Sequence, residues 1–163
     1  MTIWNRIKQL SVKQFLILLK VFIMRPLYII PTHKATIETL LICDRLFGKK
    51  HQNHNQENAF RHVLWNIIIA KNCYTPKRGV ANVLEWTEKV TTLHEKMAPN
   101  KPLETAMDLH NNKVGLILFE EEKLYEKSFT EIKEILLEEM DLGIKVTSIE
   151  EMKQHTDKMI YLE

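Results

Sequence analysis

Glycine and proline together fill only nine of the 163 positions, four and five respectively. A sandwich or a barrel needs many tight turns, so this scarcity directs the chain towards long helices. Hydrophobic residues at 45% and charged residues at 27% are ordinary globular proportions, which excludes a disordered or collagen-like chain. Cys43 and Cys73 match no metal or redox spacing and read as two buried thiols.

Start and stop signals divide the chain. Pro26 and Pro31 end a first helix and frame a short extended piece, Leu27–Ile30. Thr32 caps a second helix over 33–47 that stops at Gly48. A polar loop, Lys49–Asn55, precedes a third helix over 56–72. Thr75-Pro76 opens a helix over 76–97, and Met97–Pro102 forms a turn. A long helix over 103–127 follows. Ser128 with Glu131 and Ser148 with Glu151 have capping-box spacing and start helices to about 142 and 159. Three short strands are candidates: Leu27–Ile30, Ile144–Val146 and Met159–Leu162. The expected fold is all-α, a compact domain of six to seven helices with little or no sheet. Residues 1–31 form an amphipathic N-terminal helix with an extended connector. Residues 32–163 form a single helical domain whose motif core is 56–116.

Charge is uneven along the chain. Residues 1–50 carry nine basic and two acidic side chains, and residues 116–163 carry six and thirteen. The ends therefore complement each other, within a monomer or across a homo-oligomer. No dense Lys/Arg cluster with interleaved aromatics occurs, which argues against nucleic acid as a partner. The most apolar stretch, Phe15–Ile30, is interrupted by Lys20, Arg25 and Pro26, too soon for a transmembrane helix. It has no small-residue cleavage site, so no signal peptide is expected. Arg6, Lys13 and Lys20 recur at intervals of seven, opposite an apolar face with Ile7, Leu10, Phe15, Leu18, Leu19 and Phe22. Such a helix, residues 3–24, either packs in a protein groove or lies on a membrane interface. Packing against the acidic C-terminal third is the expectation, and peripheral membrane contact the alternative. The matching locations are the cytoplasm or the inner membrane face.

Polar residues at inward positions carry the functional information. Asn58, Arg61, His62 and Trp65 lie at offsets 0, 3, 4 and 7, on a helical face that continues into Ile68 and Ile69. Asp108, Asn111, Asn112 and Gly115 repeat those offsets on a face that continues into Leu118 and Phe119. Between them, Val80, Val83, Leu84, Thr87, Thr91 and His94 form one stripe with Glu95 beside it. Three helices thus turn polar groups towards a shared interior. Burial of such groups costs a few kcal/mol each (~2–7) unless they satisfy one another, bind something or do chemistry. Gly115, costing about 1 kcal/mol in a helix interior, implies a close helix–helix approach.

These segments, NAFRHVLW at 58–65, His94-Glu95 and MDLHNNKVG at 107–115, resemble an uncharacterised family of bacterial domains. The family's consensus is close to NAFRHALW…HE…MDLHNNxVG. It includes stand-alone proteins and C-terminal domains of large polymorphic-toxin-like secreted proteins. The resemblance covers residues 56–116 and implies a bacterial origin and a site location, not a reaction.

Three chemistries fit these residues. His62, His94, Glu95, Asp108 and His110 are candidate ligands for a divalent metal, in a mixed His/carboxylate site built from a helical bundle. A zincin is excluded, because no histidine follows His94-Glu95 at the required spacing and Pro99 breaks the helix. The second chemistry is metal-free acid–base catalysis. Its catalytic residues are His62, Glu95 and Asp108, and Asn58, Arg61, Asn111 and Asn112 bind an anionic substrate group. No Ser or Cys has a supporting motif, so water is the expected nucleophile. The reaction class is then hydrolysis of a phosphate- or ester-containing substrate, with lipid suggested by the basic, apolar N-terminal segment. The third possibility is a non-catalytic binding domain in which the cluster is a structural network, with Trp65 and Trp86 as packing. His33, His51, His54 and His155 read as surface residues. His51 and His54, three apart in a loop, carry a weak metal signal.

Overall fold

A computed structural model describes residues 19–97 and 100–163 apart from Phe22. After helical residues at 19–21 and 23–24 and a 3-10 turn at Pro26–Tyr28, α1 spans Ile29–Phe47. A second 3-10 turn, Lys50–Gln52, leads to α2 (Gln56–Cys73), α3 (Val80–Met97), α4 (Pro102–Glu121) and α5 (Phe129–Asp141). The chain closes with β1 (Ile144–Lys145), a one-turn α6 (Ile149–Met152) and β2 (Ile160–Tyr161). The two strands pair in parallel, Ile144 with Ile160. The fold is all-α with this one small sheet.

Helix α2 is the hub, packing against α1, α3, α4 and α5. Phe60, Leu64 and Ile67 on α2 are fully buried with Val83, Phe119 and Leu136 from its neighbours. Each such side chain contributes about 1.5–3 kcal/mol by leaving water. Cys43 and Cys73 are buried and reduced, and burial pushes their thiols up to about 12 and about 11.

Several boundaries follow the sequence signals. Gly48 stops α1 at φ +60°. Asn55 caps α2, its side chain accepting from the Asn58 amide at 3.1 Å. The Ser128–Glu131 capping box opens α5 with both reciprocal bonds, and residues 144–145 and 160–161 are extended.

Other boundaries differ. Leu27–Ile30 is helical, not an extended connector, because Pro31 falls in the first turn of α1, where its missing N–H is not needed. Thr32 lies inside α1 and is not a cap; its hydroxyl accepts from Trp86 Nε1 at 2.9 Å. Helix α3 begins at Val80, since Thr75–Arg78 makes a turn and Gly79 sits at φ +73°. Helix α4 stops at Glu121 rather than 127. Lys123 turns the chain at φ +49°, and the Lys71 ammonium binds the carbonyls of Leu124 and Lys127 at 3.1 and 2.6 Å. The last helix ends at Met152, and the chain runs on to an extended Ile160 clamped by Asn111.

At the described end of the N-terminal segment, Tyr28 and Arg25 meet α3. Val21 and Tyr28 are buried, the Tyr28 ring stacks on Trp86 at 5.2 Å, and Arg25 pairs with Glu85 at 3.3 Å. Arg6, Lys13 and the rest of the expected helix before residue 19 lie outside the described residues. Among the described residues no helix is long and apolar enough to cross a membrane.

The contact between α2 and α4 is the tightest feature of the site's frame. A Cβ at Gly115 would stand 2.7 Å from the Val63 carbonyl oxygen and 3.0 Å from Asn66 Cβ. Gly115→Ala should therefore force the two helices apart and lower stability by about 1–3 kcal/mol. Chemical denaturation checks this, and an alanine variant as stable as wild type would show that the approach is not limiting.

Candidate functional site

Helices α2, α3 and α4 bring one ionisable side chain each to a common point. They are His62, Glu95 and Asp108, between 2% and 4% exposed. One ligand-capable atom from each lies within 4.8 Å of the other two. His62 Nε2 is 3.2 Å from Asp108 Oδ1, and His62 Nδ1 is 3.5 Å from Glu95 Oε1.

Hydrogen bonds fix the imidazole. Arg61 Nη2 donates to His62 Nε2 at 2.8 Å, and Arg61 Nη1 donates to the His51 carbonyl at 2.6 Å. Guanidinium nitrogens only donate, so this geometry assigns the imidazole proton to Nδ1. From Nδ1 it reaches Asn112 Oδ1 at 3.2 Å. The same Asn112 oxygen accepts from Asn66 Nδ2 at 2.7 Å, and Asn112 Nδ2 donates to Glu95 Oε1 at 3.1 Å. Asn66 in turn donates to the His62 carbonyl and accepts from Thr91.

One side of the cluster is left unsatisfied. Asp108 Oδ2 accepts from Asn100 Nδ2 at 3.1 Å, but among the described residues buried Asp108 Oδ1 finds no hydrogen-bond donor. Asn58 Oδ1, one helical turn before His62 on α2, is also buried without a partner among the described residues. With Nε2 occupied by Arg61, Asp108 Oδ1 and His62 Nε2 face each other as two acceptors.

Electrostatics separate the two carboxylates. Burial raises the Asp108 pKa, and the Glu95 charge adds to this against the opposing pull of His62. Burial also pushes Glu95 upward, but hydrogen bonding from His62, with the His62 and His94 charges and Asn112, outweighs it, and the net shift is down.

The residues anticipated from sequence divide into two groups. Asn58, Arg61, His62, Glu95, Asp108 and Asn112 lie on the faces that meet here. Asn112 is bonded to protein partners at both side-chain atoms, to His62 and Asn66 through Oδ1 and to Glu95 through Nδ2. Asn111 is not at the site: its amide donates to the Ile160 carbonyl at 2.9 Å and accepts from the Ile160 N–H at 3.0 Å. His110 faces the same C-terminal segment, with Nε2 2.9 Å from the Lys158 carbonyl, so it is no ligand here, and burial lowers its pKa. The His94 ring lies edge-on to Trp65 at 5.0 Å, outside the three-residue group. Adjacent helical residues project about 100° apart, which is why Glu95 enters and His94 does not. His51 is not a surface residue: it is 1% exposed, with Nε2 3.1 Å from Asp44 Oδ1. His54 Nε2 lies 3.5 Å from Glu104 Oε1.

Sequence reasoning missed Asn66 and Asn100. Asn66 follows His62 by four and shares its face, so helical spacing contained that signal. Asn100 reaches Asp108 from a turn, where no periodicity applies.

The split carboxylates predict opposite responses in metal-free protein held in EDTA. Glu95, lowered, contributes stability that is present above its unfolded pKa and lost as pH falls through the folded value. Asp108, raised, contributes stability that is present below its unfolded pKa and lost as pH rises through the folded value. At pH 7, Glu95→Gln should cost about 1–3 kcal/mol, whereas Asp108→Asn should be at least as stable as wild type. Urea unfolding from pH 4 to 8 measures both. Equal losses in the two variants at pH 7 would contradict the assignment.

No curated protein and no solved structure matches this chain. A family model does match, that of a domain of unknown function, DUF6973, over residues 19–144. This span is more than half of the chain and contains α1 to α5 with His62, Glu95 and Asp108. The chain therefore belongs to the DUF6973 family.

Proposed function

We propose that the chain is a hydrolase-like domain that cleaves a phosphate or ester bond, with water as nucleophile, at the His62–Glu95–Asp108 cluster. The observation that carries this reading is the unsatisfied side of the cluster. A buried carboxylate oxygen with no donor costs about 1–3 kcal/mol or more, and a purely structural network has no need of it. Arg61 supplies a fixed positive charge for an anionic substrate group, and Glu95 and Asn112 hold the imidazole orientation. The buried thiols of Cys43 and Cys73 are kept protonated and lie outside the cluster, which supports water rather than a covalent nucleophile.

Lipid is a substrate class with some support. Ile23, Met24, Leu27 and Ile30 are each 60% or more exposed, and Lys20 and Arg25 lie among them. The motif resemblance supports a bacterial, toxin-related lineage. One observation favours the alternative, a non-catalytic interaction domain: the cluster residues are only a few per cent exposed, as a scaffold network would be.

Hydrolysis of p-nitrophenyl phosphate, bis-p-nitrophenyl phosphate, p-nitrophenyl acetate and phospholipid vesicles tests the proposal. At least one substrate should be cleaved, and His62→Ala should lower kcat/KM about 10²–10⁴-fold. No cleavage of any of them, or rates that His62→Ala leaves unchanged, would favour the interaction domain.

A further inference from the structure

We infer that His62, Glu95 and Asp108 form a binding site for one divalent transition-metal cation. The cation gives the hydrolase reading its means of activating water, but the site rests on geometry and stands apart from that reading.

The first ground is charge. Two carboxyl groups, Glu95 and Asp108, are 2% and 3% exposed and converge on one imidazole, with the Arg61 guanidinium bonded to that same ring. A buried charge persists when it is paired or coordinates a metal.

The second ground is the pair of acceptors. His62 Nε2 and Asp108 Oδ1 stand 3.2 Å apart, and Asp108 Oδ1 has no donor among the described residues. Ligands each about 2.1 Å from one ion stand about 3–3.5 Å from one another. This pair already has that spacing, and the three ligand atoms lie within 4.8 Å overall. Glu95 Oε1 stands 3.5 Å from Nδ1 of the same ring, so Glu95 joins the coordination shell by swinging its carboxylate towards the Nε2 side. The outer shell is built as well. Asn112 bonds Glu95, Asn100 bonds Asp108, and Nδ1–H bonds Asn112, which leaves Nε2 as the ligating nitrogen.

One contact competes. Arg61 Nη2 occupies the Nε2 lone pair at 2.8 Å, so an entering cation displaces it. Arg61 Nη1 is tethered to the His51 carbonyl, which keeps the guanidinium beside the site. One imidazole with two carboxylates suits Mn²⁺, Fe²⁺ or Zn²⁺ better than Mg²⁺, which prefers an all-oxygen shell. Three protein ligands leave open positions, one of which holds water. A cation bound there lowers that water's pKa towards about 7, and the resulting hydroxide attacks the phosphorus or carbonyl carbon while the leaving oxygen takes a proton from solvent.

The test uses the full chain stripped with EDTA and dialysed. Calorimetric titration with MnCl2 and with ZnCl2 should give one site per chain. Metal at 100 times its Kd should raise Tm by about 5–10 °C, and MgCl2 should bind far more weakly. Asp108→Asn, expected to stay folded, and His62→Ala should each weaken binding more than about 100-fold. His33→Ala, altering an exposed histidine, should leave it unchanged. Failure of the stripped wild type to bind either ion, or binding that Asp108→Asn and His62→Ala both retain, overturns the inference. Stoichiometric binding without hydrolysis of any substrate leaves the cation site standing and counts against the hydrolase. Hydrolysis that EDTA does not affect, with no binding, does the reverse.

Discussion

The molecule turns on how closely α2 and α4 approach. With Gly115 opposite the Val63 carbonyl there is no room for a Cβ, and the helix backbones come near enough for short side chains to bridge them. Asn66 and Asn112 meet at 2.7 Å because of this, and Asn112 then reaches both His62 and Glu95. A bulkier residue at 115 would separate the amides and free the imidazole to rotate. Packing and site therefore share one constraint: the contact that tightens the core also sets the imidazole orientation. Three rigid helices, each contributing one ionisable group, hold the cluster more firmly than loops would.

The cluster is buried yet incomplete. Glu95 accepts from Asn112 and has the imidazole Nδ1 3.5 Å away, and its pKa falls despite burial. Asp108 has a single amide donor, from Asn100, and its pKa rises. A network serving stability alone would balance these two groups, because each unsatisfied buried acceptor lowers stability. Natural proteins accept such a deficit where a ligand or a reaction supplies the missing partner. The proposed cation at His62, Glu95 and Asp108 would supply it here, with the Arg61 guanidinium beside the site.

Helical periodicity made most of this legible. The offsets of Asn58, Arg61 and His62 and of Asp108 and Asn112 placed both faces inward, and Gly115 announced the close approach. What periodicity could not say is which neighbour each buried face meets. Asn111 and His110 turn to the C-terminal segment, while Asp108 and Asn112, on the same helix, turn to α2 and α3. The missed boundaries have the same origin. The end of α4 is set by Lys71 reaching across to the turn carbonyls, and the extended Ile160 by the Asn111 clamp, both contacts between residues far apart in sequence. Pro31 was misleading because one residue serves either as a break or as part of a first helical turn.

Anomalous diffraction from crystals grown with Mn²⁺ or Zn²⁺ would test the central claim most directly. One strong peak is expected at about 2–2.3 Å from His62 Nε2, a Glu95 oxygen and an Asp108 oxygen, with the Arg61 guanidinium moved off the imidazole. A cluster without a peak, with Arg61 still on Nε2 and Asp108 Oδ1 bonded to a protein donor, would show a structural network and contradict it.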